Sequence, residues 1–289
     1  MMSSSFSPAA VVCKGQFVDL STPAVMGIVN VTPDSFFDGG HYTELPAYVA
    51  RAKEHVEAGA TWLDLGGYST RPGAAFVSEE EEIARLLEAV KVLKATYPEA
   101  WLSIDTFRSK VARACLEAGA DAINDISGGT LDEEMFAVVA EFKAPYILMH
   151  MRGTPQTMQE FCDYPAGLTI EMNQFFAKQV ALARAAGVHS IILDPGFGFS
   201  KTLEQNYELM RNLTDLHVHG LPLLAGISRK SMLYKALGGT PASSLNGTTF
   251  LNTIALEKGA AILRVHDVKE AVECVQLTQW LNGHPQPVR

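Results

Sequence analysis

Short apolar runs alternate along the chain with longer stretches in which apolar residues recur at intervals of three and four. The short runs read as buried strands: "AVMGIVN" (24–30), "WLDLG" (62–66), "LSID" (102–105), "AIND" (122–125), "YILM" (146–149), "IILD" (191–194), "LLAG" (223–226) and "ILRV" (262–265). Between them the spacing is helical, as in Leu45, Val49, Ala52 and Val56, and again in Ile83, Leu86, Leu87, Val90 and Leu93. Ser78 and Glu81 stand at capping-box spacing ahead of the second pattern, and Tyr97-Pro98 predicts its end.

One theme recurs four times. "EAGATWLD", "EAGADAIND", "AAGVHSIILD" and "EKGAAILRV" each close a helix on glycine (Gly59, Gly119, Gly187, Gly259) and start a strand at once. Glycine suits the left-handed residue that ends such a helix. The recurrences lie about two strand–helix units apart, which places eight such units in the chain. Eight units in one domain predict an α/β fold of the closed (β/α)8 type, a TIM barrel, rather than an open doubly wound sheet. No G-x-G-x-x-G follows the first strand to favour the open sheet. Residues 1–22 read as an N-terminal arm or short hairpin, and 23–289 as the barrel domain.

Composition narrows the partners. The 289 residues are 47% hydrophobic, enough for a large core, and carry 23 Lys and Arg against 32 Asp and Glu, a net −9. That balance argues against nucleic acid and acidic membrane surfaces, so any anion site has to be a local cluster of cations. The four cysteines, Cys13, Cys115, Cys162 and Cys274, form no CxxC pair and read as reduced thiols. No signal peptide or membrane-length run is visible, and the expectation is a soluble, cytoplasmic protein.

In barrels of this class chemistry lies at the carboxyl ends of the strands. Here those ends deliver Asn30, Asp105, Asn124 and Asp194; the seventh strand runs into "GISRKS" with Ser228 and Lys230, and the eighth delivers Arg264 and His266. A lone polar strand end caps a helix; this many on one rim point to a pocket, because buried charges need a partner or a ligand. Two carboxylates, an Asn and a Lys suit the edge of a planar heterocycle that shows both donors and acceptors. Residues 264 and 266 share a strand face with Ile262. They sit after the eighth strand, where barrels of this type bind phosphate, so the pair reads as a separate phosphate clamp.

Two loops, "VTPDSFFDGGHY" (31–42) and "GGYSTRPGAAFVSEEE" (66–81), exceed the usual turn length and read as lids or binding segments. "DPGFGFSKT" (194–202) is glycine-rich but lacks a Walker A ending. Other features carry plainer readings. His217 and His219 in "HVHG" lie at the opposite barrel end from the rim; His150 reads as core; "SEEEE" reads as an acidic helix start; Asp64 reads as a support for the "GGYST" turn.

The segments "GIVNVTPDSFFDGG", "DLGGYSTRPGA", "SIDT", "AINDISGG", "LMHMRGTP", "ILDPGFGF", "GISRKSM" and "ILRVHDV" together resemble the dihydropteroate synthase family, in family order from residue 27 to 268. The resemblance implies a barrel that joins 6-hydroxymethyl-7,8-dihydropterin pyrophosphate to p-aminobenzoate, giving 7,8-dihydropteroate and pyrophosphate. It implies pterin contacts from Asp105, Asn124, Asp194 and Lys230, with Met149 and Phe199 lining the pocket. Asn30 would help to hold Mg²⁺ with the pyrophosphate, bound also by Arg264 and His266. Asp34, Phe36 and Asp38 of the first loop, and Thr70, Arg71 and Pro72 of the second, would shape the p-aminobenzoate site with Ser228, Arg229 and Ser231. Asp38, Lys230, Arg264 and His266 are the residues expected to bear on catalysis. The family commonly forms homodimers. Tyr68 stands where many members have Glu, and Phe37 where Ser is common.

An aromatic amine needs no general base at neutral pH, so the chemistry to support is pyrophosphate departure, and an SN1-like path is expected. The nearest alternative is a methyltetrahydrofolate-type pterin-binding methyltransferase, which has no use for a pyrophosphate clamp. A Schiff-base aldolase using Lys230 would need that lysine's pKa lowered. A non-catalytic pterin-binding module would need no leaving-group site.

Overall fold

The computed structural model describes residues 10–31, 46–68 and 76–283. Asp34, Phe36, Phe37 and Asp38 of the first long loop, and Thr70, Arg71 and Pro72 of the second, lie outside the described residues. An N-terminal pair, β1 (Ala10–Cys13) and β2 (Gln16–Asp19), precedes β3 (Ala24–Asn30), α1 (Ala47–Glu57), β4 (Trp62–Gly66), α2 (Glu79–Thr96), β5 (Trp101–Asp105) and α3 (Ser109–Glu117). There follow β6 (Ala122–Asp125), α4 (Met135–Phe142), β7 (Tyr146–Met149), α5 (Leu168–Ala185), β8 (Ile191–Asp194) and α6 (Leu203–Arg211). The chain continues through β9 (Leu223–Ala225), α7 (Ser231–Leu237), α8 (Leu245–Glu257), β10 (Ala260–Val265) and α9 (Val268–Leu281).

Strands β3 to β10 pair in chain order, and β10 closes on β3 to complete a parallel barrel. The eight apolar runs are these eight strands, with edges shifted by at most two residues. Alternation along each strand divides the apolar residues between two clusters. Val25, Val29, Leu63, Leu65, Leu102, Ile104, Ile123, Leu148, Leu193 and Leu263 face outward and pack with the helices. Met26, Trp62, Ala122, Ile147, Ile192, Leu224 and Ile262 form the inner cluster. Each of these large side chains contributes roughly 1.5–3 kcal/mol of apolar burial.

The inner cluster extends downward into the hairpin. Val11, Cys13, Val18 and Leu20 pack with it, so the β1–β2 pair closes the barrel floor. The hairpin can turn in two residues because Lys14 and Gly15 both adopt positive φ, 48° and 81°. At the other end of the barrel the apolar layers stop, and polar residues line the mouth.

The helix caps follow the repeat. Gly59, Gly119, Gly187 and Gly259 have φ of 99°, 113°, 97° and 85°, the left-handed region that glycine enters without a side-chain clash. Ser78 caps α2 by accepting from the Glu81 N–H at 3.2 Å. The acidic start of α2 is as its sequence predicts, with Glu79, Glu80, Glu81 and Glu82 in the first turn, and one of them turns inward. Glu82 is buried, accepts from Thr106 Oγ1 at 2.8 Å and pairs with Arg108 at 2.6 Å. It lies on the α2 face turned toward the barrel, where a carboxylate needs partners.

Candidate active site

Strand register builds the mouth as stacked rings. Asn30 is level with Gly66, Gly66 with Asp105, and Asp105 with Asn124. Two residues down, on the same face, Ile28 is level with Asp64, and Asp64 with Ser103. Met149 is level with Asp194 across β7 and β8. Above the rings opens a cavity of about 910 Å³, lined among others by Asn30, Asp105, Phe199, Lys230, Arg264 and His266.

Arg264 joins two carboxylates inside this cup. Its Nε donates to Asp64 Oδ2 at 2.6 Å and its terminal nitrogen to Asp105 Oδ2 at 2.7 Å. Asn124 donates through Nδ2 to the same Asp64 oxygen at 3.0 Å. The expectation of a cationic end set apart from the carboxylates therefore needs correction: Arg264 sits among them. Burial opposes its charge, but Asp64 and Asp105 outweigh this and hold the guanidinium protonated. Burial pushes the Asp105 carboxyl up to about 7 despite Arg264, with Asp64 adding to the rise.

The reading of Asp64 as a turn support is overturned. It is fully buried, midway along β4, and faces inward with Trp62. Its signal was available in "WLDLG": Leu63 and Leu65 belong to the outer face, so period-two alternation leaves Trp62, Asp64 and Gly66 on the inner one. Asp64 Oδ1 and Asn124 Oδ1 are buried without a hydrogen-bond partner among the described residues.

Asp194 faces the same cup from β8. Its Oδ1 accepts from the Gly196 N–H at 2.7 Å, while burial raises its pKa against the pull of Lys230. Lys230 stands at the start of α7, bonds the Phe197 carbonyl, and lies 4.7 Å from the centre of the Phe199 ring. Burial lowers its pKa to about 8, with Asp194 opposing the shift. Phe199 and Met149 join Ile126, Met151 and Met158 in a small apolar cluster beside the mouth. The polar ring thus has an apolar wall, as a flat heterocycle requires.

The last strand and the turn after β9 complete the rim. Ser228 is buried and accepts from the His266 N–H at 3.1 Å, which fixes the backbone beyond β10. Ser231 opens α7 at the cavity edge. Arg229, with φ of 55°, turns to a two-point pair with Asp267 at 2.9 and 2.6 Å. Tyr68 lines the cavity; its hydroxyl accepts from Gln156 Nε2 at 3.1 Å, and Arg108 lies 5.2 Å over its ring.

His150, His217 and His219 each have partners among the described residues. His150 is buried, edge-on to Phe175 with ring centres 5.0 Å apart. His217 bonds the Lys258 carbonyl and His219 bonds Asn173 Oδ1, at 2.8 and 2.9 Å. The described residues contain no group of three His, Cys, Asp or Glu side chains placed to hold a metal ion. They also contain no helix long and apolar enough to cross a membrane.

A ring of inward carboxylates beneath an open barrel mouth, walled by Phe199 and Met149, offers the acceptors and the flat contact that a planar nitrogen heterocycle needs. The family profile described as pterin binding enzyme matches residues 26–266. The dihydropteroate synthase of Synechocystis is 49% identical over 260 residues, covering 89% of this chain and 89% of that protein. Among solved structures, the Yersinia pestis dihydropteroate synthase with a sulfonamide drug complex superposes with a TM-score of 0.87 at 42% identity, covering 95% of this chain and 99% of that one. The Burkholderia cenocepacia dihydropteroate synthase complexed with 7,8-dihydropteroate gives 0.85 at 37% identity, covering 96% and 97%. These relatives are synthases, so the methyltransferase alternative falls. The chain belongs to the pterin-binding enzyme family and, within it, to the dihydropteroate synthases.

Proposed function

We propose that this chain condenses 6-hydroxymethyl-7,8-dihydropterin pyrophosphate with p-aminobenzoate, releasing 7,8-dihydropteroate and pyrophosphate. The observation that carries this reading is the inward ring at the cavity, formed by Asp105 with the buried Asp64, Asn124 and Asp194. Its unpartnered oxygens on Asp64 and Asn124 suit a heterocycle edge rich in N–H donors. Lys230 supplies a donor to a ring acceptor, and Met149 and Phe199 supply the flat apolar contact.

The same ring supports a dissociative path. As the carbon–oxygen bond to pyrophosphate breaks, positive charge spreads from the methylene into the dihydropterin. Three inward carboxylates against Arg264 and Lys230 favour that charge. The neutral aromatic amine then attacks the methylene carbon and gives its extra proton to solvent. Arg264 is already counter-charged twice, so its first role is to fix Asp64 and Asp105; His266 and the exposed side of Arg264 attract the pyrophosphate. Asp38, Thr70, Arg71 and Pro72 are assigned to the p-aminobenzoate side with Ser228 and Ser231.

Asn30 stands exposed at the end of β3 and lines the cavity. Its amide oxygen fits Mg²⁺ delivered with substrate phosphate, because that ion takes few protein ligands and keeps water and phosphate oxygens. When bound, the ion would neutralise part of the charge on the departing pyrophosphate.

We assign the enzyme to the cytoplasm, consistent with the free thiols Cys13, Cys115 and Cys274 in its interior, and to a homodimer. Phe250 on α8, and Leu277, Trp280 and Leu281 on α9, are exposed on two helices packed against each other. An apolar patch of this kind suits a second copy.

Pyrophosphate release tests the reading. Sustained release is expected only when the pterin pyrophosphate, p-aminobenzoate and Mg²⁺ are all supplied, with dihydropteroate formed in equal amount. Repeated turnover that ignores p-aminobenzoate, or none with all three reagents, overturns it.

A further inference from the structure

Directly behind the pterin cup lies a buried lysine that the chemistry above does not use. Lys201 follows β8 by way of the turn at 195–200 and immediately precedes the Thr202 cap of α6. Its side chain folds back under that turn and is 3% exposed. Nζ meets three acceptors: the Gly196 carbonyl at 3.0 Å, the Phe199 carbonyl at 2.9 Å and His150 Nδ1 at 3.1 Å. An ammonium has three N–H bonds, so the cage matches it donor for acceptor. None of these partners is a carboxylate.

The turn is pinned from both sides. Above it, Lys230 holds the Phe197 carbonyl and lies over the Phe199 ring. Below it, Lys201 holds the carbonyls of Gly196 and Phe199. Gly196 also donates its N–H to Asp194, and a Cβ there would stand 2.2 Å from the His150 carbonyl oxygen. Ser200, with φ of 46°, is held by the Tyr164 hydroxyl on its carbonyl at 2.8 Å. Phe199, the Phe197 carbonyl and the Asp194 carboxylate therefore all take their positions from one turn, and Lys201 is its lower fastener.

We propose that Lys201 is a positioning residue of the pterin site, which with His150 fixes the turn under Phe199 and supplies a buried positive charge that keeps Asp194 ready to accept from the pterin edge. This rests on the pterin-site reading above. Charged and titratable groups face Lys201 from every side: Asp194 from β8, His150 at the end of β7, Arg152 and Cys162 from the connection to α5, and Lys230 from the turn after β9. Tyr164 belongs to the same connection and bonds the adjacent residue. Asp194 is the strongest favourable influence, but burial lowers the Lys201 pKa to about 7. His150 is driven well below its usual pKa and stays neutral.

The cage serves both protonation states. As an ammonium, Lys201 donates to both carbonyls and to Nδ1. As an amine, it keeps both carbonyl bonds and accepts from Nδ1–H of the other His150 tautomer. The turn thus survives loss of the proton, whereas the support for the Asp194 charge does not. Loss of one charge-assisted support is expected to weaken pterin binding about 10- to 100-fold.

The test measures KM for the pterin pyrophosphate and kcat from pH 6 to 9 in wild type, Lys201→Met and His150→Phe, with circular dichroism to confirm folding. In wild type, KM is expected to rise with pH through the lysine's titration while kcat changes less. Lys201→Met is expected to show a KM raised about tenfold at pH 6, with that alkaline rise gone. His150→Phe removes the third acceptor, favours the amine, and should move the rise to lower pH. If Lys201→Met does not fold, the His150→Phe profile decides. A folded Lys201→Met with wild-type KM and profile, or an unmoved profile in His150→Phe, overturns the inference. A wild type that forms no dihydropteroate instead overturns the reading of the site itself.

Discussion

Arg264 reaches past β3 to pair with Asp64, Nε to Oδ2 at 2.6 Å, although the two residues lie 200 positions apart. The same guanidinium bonds Asp105 on β5. One side chain from the last strand thereby ties β10 to β4 and β5 and sets the positions of two carboxylates beneath the cavity.

That geometry needs a planar fork. Arg264→Lys keeps the charge but presents an ammonium on a shorter stem, which cannot hold both carboxylates in place. The expected result is a fall in kcat/KM for the pterin pyrophosphate of about 10²- to 10³-fold, the size seen when one charge-stabilising contact is removed. Steady-state kinetics check it, and a change below about threefold would show that the fork is dispensable.

Asp64 carries a structural load as well. Asp64→Ala leaves Arg264 with one carboxylate and Asn124 Nδ2 without its acceptor, both inside the barrel. Breaking a buried pair in this way costs about 3–5 kcal/mol. Urea unfolding should show the midpoint fall with an unchanged slope. A loss under about 1 kcal/mol would mean that the pair contributes little to the fold.

These two residues also mark where sequence reading stops. All eight barrel strands were legible, because apolar runs bounded by glycine, proline and acidic residues recur with one spacing. Asn30, Asp105 and Asp194 were legible for the same reason: each ends its strand. The partner of Arg264 was not, because Asp64 becomes its neighbour only through barrel closure, which no local pattern records. The inward turn of Glu82 was not legible, because all four acids of "SEEEE" are helix-start residues and only the packing of α2 against the barrel shows which one is buried. Lys201 left no local signal, since a lysine folded under its own turn looks like a lysine at a helix start.

The ionisation of Asp105 gives a pH dependence with a definite sign. Its folded pKa, about 7, lies above the ordinary carboxyl value of 3.8, so the folded state holds the proton longer. Its stabilising contribution is present below the unfolded pKa and is lost as pH rises through about 7. Relative to Asp105→Asn, wild type should therefore lose stability between pH 5 and 8, read from paired thermal unfolding curves. Proton loss from Asp105 supplies the acceptor form, so it should add a rising acid limb to wild-type kcat/KM below about pH 7, ahead of the fall expected from Lys201, and Asp105→Asn should lack that acid limb. A parallel pair of stability curves would mean that Asp105 does not titrate there.

The apolar face of α8 and α9 makes the last prediction. Leu277, Trp280 and Leu281 sit at helical spacing on one side of α9, each more than 60% exposed, and Phe250 of the neighbouring α8 adds to the patch at 64%. Apolar side chains clustered in this way on two helices are costly in water, and a two-fold partner presenting the same face covers both copies at once. A double substitution, Leu277→Lys with Trp280→Glu, places charge in the centre of that face without touching the buried residues of α9, Val268, Ala271, Cys274, Val275 and Thr278. In sedimentation at micromolar concentration, wild type should run at twice the mass of one chain and the variant at 31.3 kDa. The thermal midpoint of the variant should no longer depend on protein concentration, as it does for a dimer. A wild type that sediments at the single-chain mass would show that this face meets something other than a second copy.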